Sequence, residues 1–309
     1  MPAITVFSGG PTRGSDAGPH LAAAVMAVTL AKSSEPLEAV ASGNRMKAER
    51  TRPRNPNRLT INQHVLPAKS IERFTNRSGR VLLHDLRRGR EILVKPDNSF
   101  FCACRAWDER AETGYMKCIE DEFQKIVDSI LNGRIAVLAP EDKAAVDRMY
   151  ALWHMRSRCR ELEWQEQQLK GVGGSDLTKE QEENLEKNGY VFVRRGGRMP
   201  ARQLNGVVLQ MRIFNYARDL AARVSRWGII SAQSGEFIVP DIPVHGIIPL
   251  TPRLALVQSA PDGMIVERNV AEINSALRAT SRDYFFARDL SSCHFHVSVF
   301  ASTSTCDPR

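Results

Sequence analysis

From Tyr115 to Leu131 the chain sets Met116, Ile119, Phe123, Ile126, Val127 and Ile130 three and four residues apart. That spacing lines one face of an α-helix, and Gly133 just beyond is a stop signal. Glu141–Arg158 predicts a second helix, with Pro140 in its first turn and Val146, Met149, Leu152 and Trp153 as its buried stripe. Thr178 to Gly189 predicts a short polar helix. Thr178 and Gln181 form a capping box there, and Gly189 ends it. The stretch from Pro200 to Val224 predicts a long helix with Leu204, Val208, Met211 and Phe214 facing inward. One more helix is predicted over Asn269–Ser281.

Between these helical stretches lie short runs rich in Val, Leu, Ile and Phe. Gly79–Leu86 and Arg90–Pro96 predict a β-hairpin turned at Arg87-Arg88-Gly89. Trp227–Ala232 and Glu236–Pro240 predict a second hairpin, turned at Gln233-Ser234-Gly235. Val244–Gln258 holds one or two more strands, and Asp283–Ala287 another. Lys170–Asp176, with its glycines, reads as a loop. Hairpins with helices between them predict an α+β fold rather than a doubly wound parallel sheet.

Charge changes the picture locally. Thirteen Lys and Arg against three acids fall between Arg45 and Arg90, and the whole chain nets +8. Eight arginines against the single Asp219 follow between Arg194 and Arg226. Such segments attract polyanions by counterion release, or form a solvated basic surface. Arg50, Arg52, Arg54, Arg58, Arg87 and Arg88 are the candidate nucleic-acid contacts, with an acidic protein as the alternative partner. Six irregularly placed cysteines are not a disulfide framework and predict a reduced, cytoplasmic protein. No apolar run approaches the roughly 18 to 20 residues of a membrane span. Leu21–Ala31 resembles a signal-peptide core, but Arg13, Asp16, Lys32, Glu35 and Glu38 around it do not suit one.

Residues 1–58 are poor in large apolar side chains and read as a flexible, partly basic extension, with Met46 as an alternative start. Residues 59–300 are expected to form one α+β domain, followed by a disordered tail over 301–309. Oligomeric state is not legible in the chain.

The succession of motifs resembles a bacterial family catalogued as domain of unknown function 4238. Gln63, His64, Pro67 and Phe74 stand where that family has a Gln/His-His-x-x-Pro pattern and an aromatic-ended helix. Asp241 and Pro243 match its Asp-x-Pro turn, and Pro249, Leu250, Thr251 and Pro252 its Pro-Leu-Ser/Thr-Pro segment. Pro240 replaces the hydroxyl residue found before that aspartate, so a role for the hydroxyl is absent. The resemblance spans roughly residues 60–290 and implies a fold unit, not an activity.

His64 carries the sharpest chemical reading, as a general base or metal ligand. The bland reading is an imidazole bonded to backbone at the domain entrance. His64, Asn76 and His84 follow the order used by ββα-metal nucleases, but His84 falls in a predicted strand where that fold needs a helix. Asp241 ends an apolar strand and could bind metal or orient a histidine; otherwise it closes an Asx-turn. Glu120 falls beside the buried stripe of its helix, either as an acid in a cleft or as an ion pair with Arg156 of the next helix. Zinc at Cys102, Cys104, Cys293, His294 and His296 is disfavoured by the spacing.

Two readings of function follow. The first is a metal-dependent hydrolase acting on nucleic acid through His64, Asp241 and Glu120, with Mg or Mn. The second is a non-enzymatic basic module that binds nucleic acid or an acidic protein. The sequence leaves the metal and the substrate open.

Overall fold

A computed structural model describes residues 48–160 and 165–295. The signal-like run at 21–31, the alternative start at Met46, His296 and the tail 301–309 lie outside those residues. In chain order the elements begin with β1 (Asn62–His64), α1 (Ala68–Glu72), β2 (Val81–Asp85), β3 (Arg90–Val94) and β4 (Cys102–Cys104). Then come α2 (Glu109–Ala111), α3 (Lys117–Leu131), α4 (Pro140–Cys159), β5 (Gln167–Gln168), α5 (Lys179–Lys187), β6 (Arg198–Met199) and α6 (Ala201–Arg223). The last are β7 (Trp227–Ala232), β8 (Val239–Pro240), β9 (Ile247–Thr251), β10 (Leu254–Gln258), β11 (Gly263–Ile265), α7 (Glu267–Thr280) and β12 (Tyr284–Ala287). The fold is α+β. The described residues divide into two compact units, one made of 48–68, 97–135, 139–160 and 165–224, the other of 69–96, 136–138 and 225–295.

The first unit is mainly helical. α4 packs against both α3 and α6. The stripes read from spacing are buried here: Met116, Ile119, Phe123, Val127 and Ile130, then Val146, Met149, Leu152 and Trp153. Burying such aliphatic and aromatic side chains is worth roughly 1.5–3 kcal/mol each. Gly133 has φ +69°, the left-handed turn that ends α3. The capping box at Thr178 forms, with Gln181 reaching back to the Thr178 N–H at 2.9 Å.

Helix α6 turns inward a different face from the one marked by Leu204, Val208, Met211 and Phe214. Phe214 is 61% exposed, and Leu204, Val208 and Met211 are only half-buried. The buried side is Arg202, Gln203, Gly206, Leu209, Ile213, Ala217 and Leu220. Its first turn is polar and only partly satisfied, since Arg202 Nη2 and Gln203 Nε2 are buried without a hydrogen-bond partner. Arg202 meets Glu186, and the side-chain Oε1 of Gln203 accepts from the Phe192 N–H at 3.0 Å. Apolar residues lie on both sides of the helix, with Val207, Leu209, Ile213 and Leu220 on the buried one, so apolarity alone does not select its phase.

Residues 48–58 also depart from the expected flexible extension. The Arg52 N–H and Nε donate to Glu183 of α5 at 2.6 and 3.1 Å. The Asn55 side chain accepts from the Leu59 N–H and donates to the Leu59 carbonyl.

The second unit holds two four-stranded sheets, ordered β11-β7-β10-β9 and β3-β2-β12-β8. Neighbours are antiparallel except β11 and β7. The first predicted hairpin is β2–β3, with Gly89 at φ +60° in its turn. The second does not form. β7 pairs with β10, whereas β8 pairs with β12 in the other sheet. Gly235, at φ +78°, lies between them. The whole of Glu236–Pro240 is buried, so it enters the interior instead of returning along β7. The core gathers Phe237, Ile238, Val270, Leu277, Phe285 and Ala287. Asn274 of α7 is fully buried there. It accepts from the Ile238 N–H and donates to the carbonyls of Glu236 and His294.

Candidate functional site: buried arginines and their acids

Three polar residues fix the entrance to the first unit. Gln63 of β1 is fully buried. Its amide accepts from the Ala106 and Trp107 N–H groups at 2.6 and 3.1 Å and donates to the Trp107 carbonyl at 2.9 Å. Beyond Trp107, Asp108 caps α2, and one π-helical turn, Glu112–Met116, joins α2 to α3. Such turns recur at functional sites. Glu112 opens that turn and accepts from the Trp107 indole N–H at 2.6 Å.

Arg156 of α4 completes the arrangement. Its guanidinium is fully buried and lies 5.2 Å from the centre of the Trp107 ring. Nη1 donates to the His64 carbonyl at 3.1 Å and to Glu120, and Nη2 donates to Glu112 at 3.2 Å. The structure thus brings together three of the residues singled out from sequence, His64, Glu120 and Arg156. An unpaired guanidinium in this interior would cost several kcal/mol, and the two carboxylates and the carbonyl offset that. Glu120 here holds a cation. Trp107 and Glu112 had no distinguishing pattern in the sequence.

His64 is half-buried, opposite Cys102 in the β1–β4 ladder. Asp241 belongs to the second unit. Its two carboxylate oxygens accept from the Arg282 and Asp283 N–H groups at 3.0 and 2.7 Å. Burial pushes its carboxyl above the ordinary range despite those two donors. The carboxylate closes the turn into β12, and both of its oxygens have internal donors.

Among the described residues no three His, Cys, Asp or Glu are grouped so as to hold a metal ion. Cys102 is buried and Cys104 exposed on β4, while Cys293 is buried in the second unit. Burial pushes the Cys102 thiol up to about 11 and the Cys293 thiol to about 12, so neither is a ready thiolate ligand. His294 meets Glu267 at 2.9 Å. The same Glu267 accepts from the Ser234 hydroxyl, so the carboxylate, not the imidazole, sits in the middle. That is not the order of a nucleophilic triad, in which the histidine is central.

The candidate arginines divide by partner. Arg52 pairs with Glu183 and Glu180, Arg87 with Asp283, and Arg88 with Asp85. Arg50, Arg54 and Arg58 are exposed, and none forms an ion pair with an acid among the described residues. Arg54, Asn55 and Arg58 hold left-handed backbone, at φ 64°, 45° and 49°. Non-glycine residues enter that region at a cost and only where neighbours hold them. The Asn55–Leu59 pair of bonds and the Arg52–Glu183 clamp supply that hold.

A second buried network escaped the sequence reading. On α5, Glu182, Glu183 and Glu186 are buried, while the one large apolar residue, Leu185, is only half-buried. Arg105 and Arg202, both buried, donate to Glu186 at 2.7 and 2.8 Å. Arg194 is bidentate on Glu182, at 2.6 and 2.7 Å. A helical wheel would place these glutamates in water. The signal available was their spacing at i, i+1 and i+4, facing an arginine-rich segment nearly devoid of acids.

The class defined by fold and site is an α+β protein whose helical unit is organised around buried arginine–carboxylate networks. No family model, curated protein or solved structure matches the chain.

Proposed function

We propose that the chain is a non-enzymatic binding module that holds nucleic acid by its phosphates on the loop formed by residues 50–58. The observation that carries the reading is the loop itself. Its backbone is fixed, yet Arg50, Arg54 and Arg58 point no charge at an acid among the described residues. A preformed loop loses little conformational entropy on binding. Arginine suits phosphate through its planar fork of donors. The loop offers Pro53 and Pro56 but no aromatic residue, which favours backbone contact over base stacking and gives a protein interface little apolar core.

The test is fluorescence anisotropy of labelled DNA and RNA across a salt series, with wild type and the triple variant R50A/R54A/R58A. Binding that weakens steeply with salt and is lost in the variant supports the reading. Equal binding by both proteins refutes it. Binding of an acidic polypeptide but no oligonucleotide transfers the loop to a protein partner.

A second reading keeps the metal-dependent hydrolase, with Mg or Mn. It is favoured by the convergence of the His64 carbonyl and Glu120 on Arg156 beside a π-helical turn. The engagement of both Asp241 oxygens weighs against it. Metal-dependent cleavage abolished by both H64A and E120A, in folded proteins, would establish it.

A further inference from the structure

Glu49 differs from the other acids of the first unit in how it is held. It enters from the chain segment that precedes the loop, and its side chain remains 37% exposed. Four cationic side chains from three other stretches of chain close on it. Lys179, at the start of α5, and Arg194 both reach Oε1, the latter at 2.6 Å. Arg202 of α6 reaches Oε2, and Arg105 Nη1 donates to the Glu49 carbonyl at 3.0 Å. Burial would raise the Glu49 carboxyl, but Arg202, Lys179 and Arg194 outweigh it and hold it at about 2.

The charge around this position does not close without Glu49. The four cations Lys179, Arg105, Arg194 and Arg202 meet the acids Glu166, Glu182 and Glu186, and Glu166 is shared with a fifth cation, Arg198. At least one positive charge is left over. Two buried donors of the same arginines, Arg105 Nε and Arg202 Nη2, have no hydrogen-bond partner. A partly buried cationic cluster with an unmatched charge favours an anion, and a singly charged carboxylate, whose two oxygens Arg194 and Arg202 divide between them, matches it better than the more highly charged phosphate.

We propose that Lys179, Arg194 and Arg202 form a receptor for a single carboxylate, which Glu49 of the same chain fills from the outside. The receptor accepts a small free carboxylate once the Glu49 side chain is removed. Its cations are distinct from the exposed arginines on which the proposed nucleic-acid binding rests, so either can fail without the other.

The experiment compares wild type and E49A, as full chains, by thermal melting in sodium acetate and in sodium chloride at matched ionic strength and neutral pH. In chloride, E49A is expected to melt roughly 5 to 10 °C below wild type. In acetate it is expected to regain more than half of that loss, while wild type melts alike in both salts. Sodium phosphate forms a third arm: rescue by acetate but not phosphate identifies a carboxylate receptor, and equal rescue by both overturns the preference for a carboxylate. E49A melting alike in acetate and chloride overturns the receptor altogether. Should E49A not fold in chloride, it is refolded in both salts. Recovery in acetate alone then supports the receptor, and recovery in neither overturns it.

Discussion

Nη1 of Arg156 lies 3.1 Å from the carbonyl oxygen of His64 and also donates to Glu120. One guanidinium therefore ties β1 to α3 and α4. His64 takes part in that tie through its backbone, so this bond would survive replacement of the imidazole. The acid and the arginine flanking it serve to hold the entrance strand in place.

Replacing Arg156 should therefore be costly to folding. Arg156→Met leaves Glu112 and Glu120 without their cation, and a loss of about 3 kcal/mol is expected, at the low end for a broken buried pair because both acids keep some water. Arg156→Lys should recover less than half, since a compact ammonium cannot span acceptors spread around a planar guanidinium or stack on the Trp107 ring. Urea denaturation measures both, and a loss below about 1 kcal/mol for the methionine variant would contradict the assignment.

Asp108 gives a pH signature. It is buried, accepts from the Ala111 N–H, and sits so close to Gly206 that a Cβ there would meet its Oδ1 at 1.9 Å. Burial raises its carboxyl from 3.8 to about 6, with Arg110 opposing. A carboxyl whose folded pKa lies above its unfolded value stabilises the fold fully below about 3.8, and this contribution is lost as pH rises through about 6. That shift is worth on the order of 3 kcal/mol. Asp108→Asn keeps a capping side chain without the charge. Its stability relative to wild type should improve by roughly that amount between about pH 4 and about pH 7. An unchanged difference in urea midpoints across that range would count against the raised carboxyl.

Asn274 is the corresponding polar residue of the second unit. Asn274→Ala deletes three hydrogen bonds to backbone groups at Ile238, Glu236 and His294. A loss of about 2–4 kcal/mol is expected from unsatisfied groups and the small cavity. Calorimetry should show a lowered melting temperature, and a shift within about 1 °C would mean water replaces the amide fully.

If the loop binds nucleic acid through phosphates, each exposed arginine contributes about 0.9 to the logarithmic salt slope on duplex DNA. R54A/R58A should therefore reduce the slope by about 2 and weaken all sequences alike. A changed base preference at constant slope would mean that these arginines read bases.

The sequence by itself determined the elements whose burial is apolar. The stripes of α3 and α4, the cap at Thr178, the β2–β3 hairpin and the strand at 284–287 follow from local periodicity and turn chemistry, which act over a few residues. Tertiary structure decided the elements whose inner faces are charged. The first turn of α6, where Arg202 meets Glu186, the burial of Glu182, Glu183 and Glu186, and the ordering of residues 48–58 each depend on a partner elsewhere along the chain. So does the crossing of 236–240 into the second sheet. A glutamate is costly to bury alone and tolerated against an arginine, and that partner is chosen by the fold. The same reason limits the candidate site. His64, Glu120 and Arg156 could be named from the chain, but Trp107, Glu112 and the cradle around Glu49 became visible only where long-range packing removed water from around their charges.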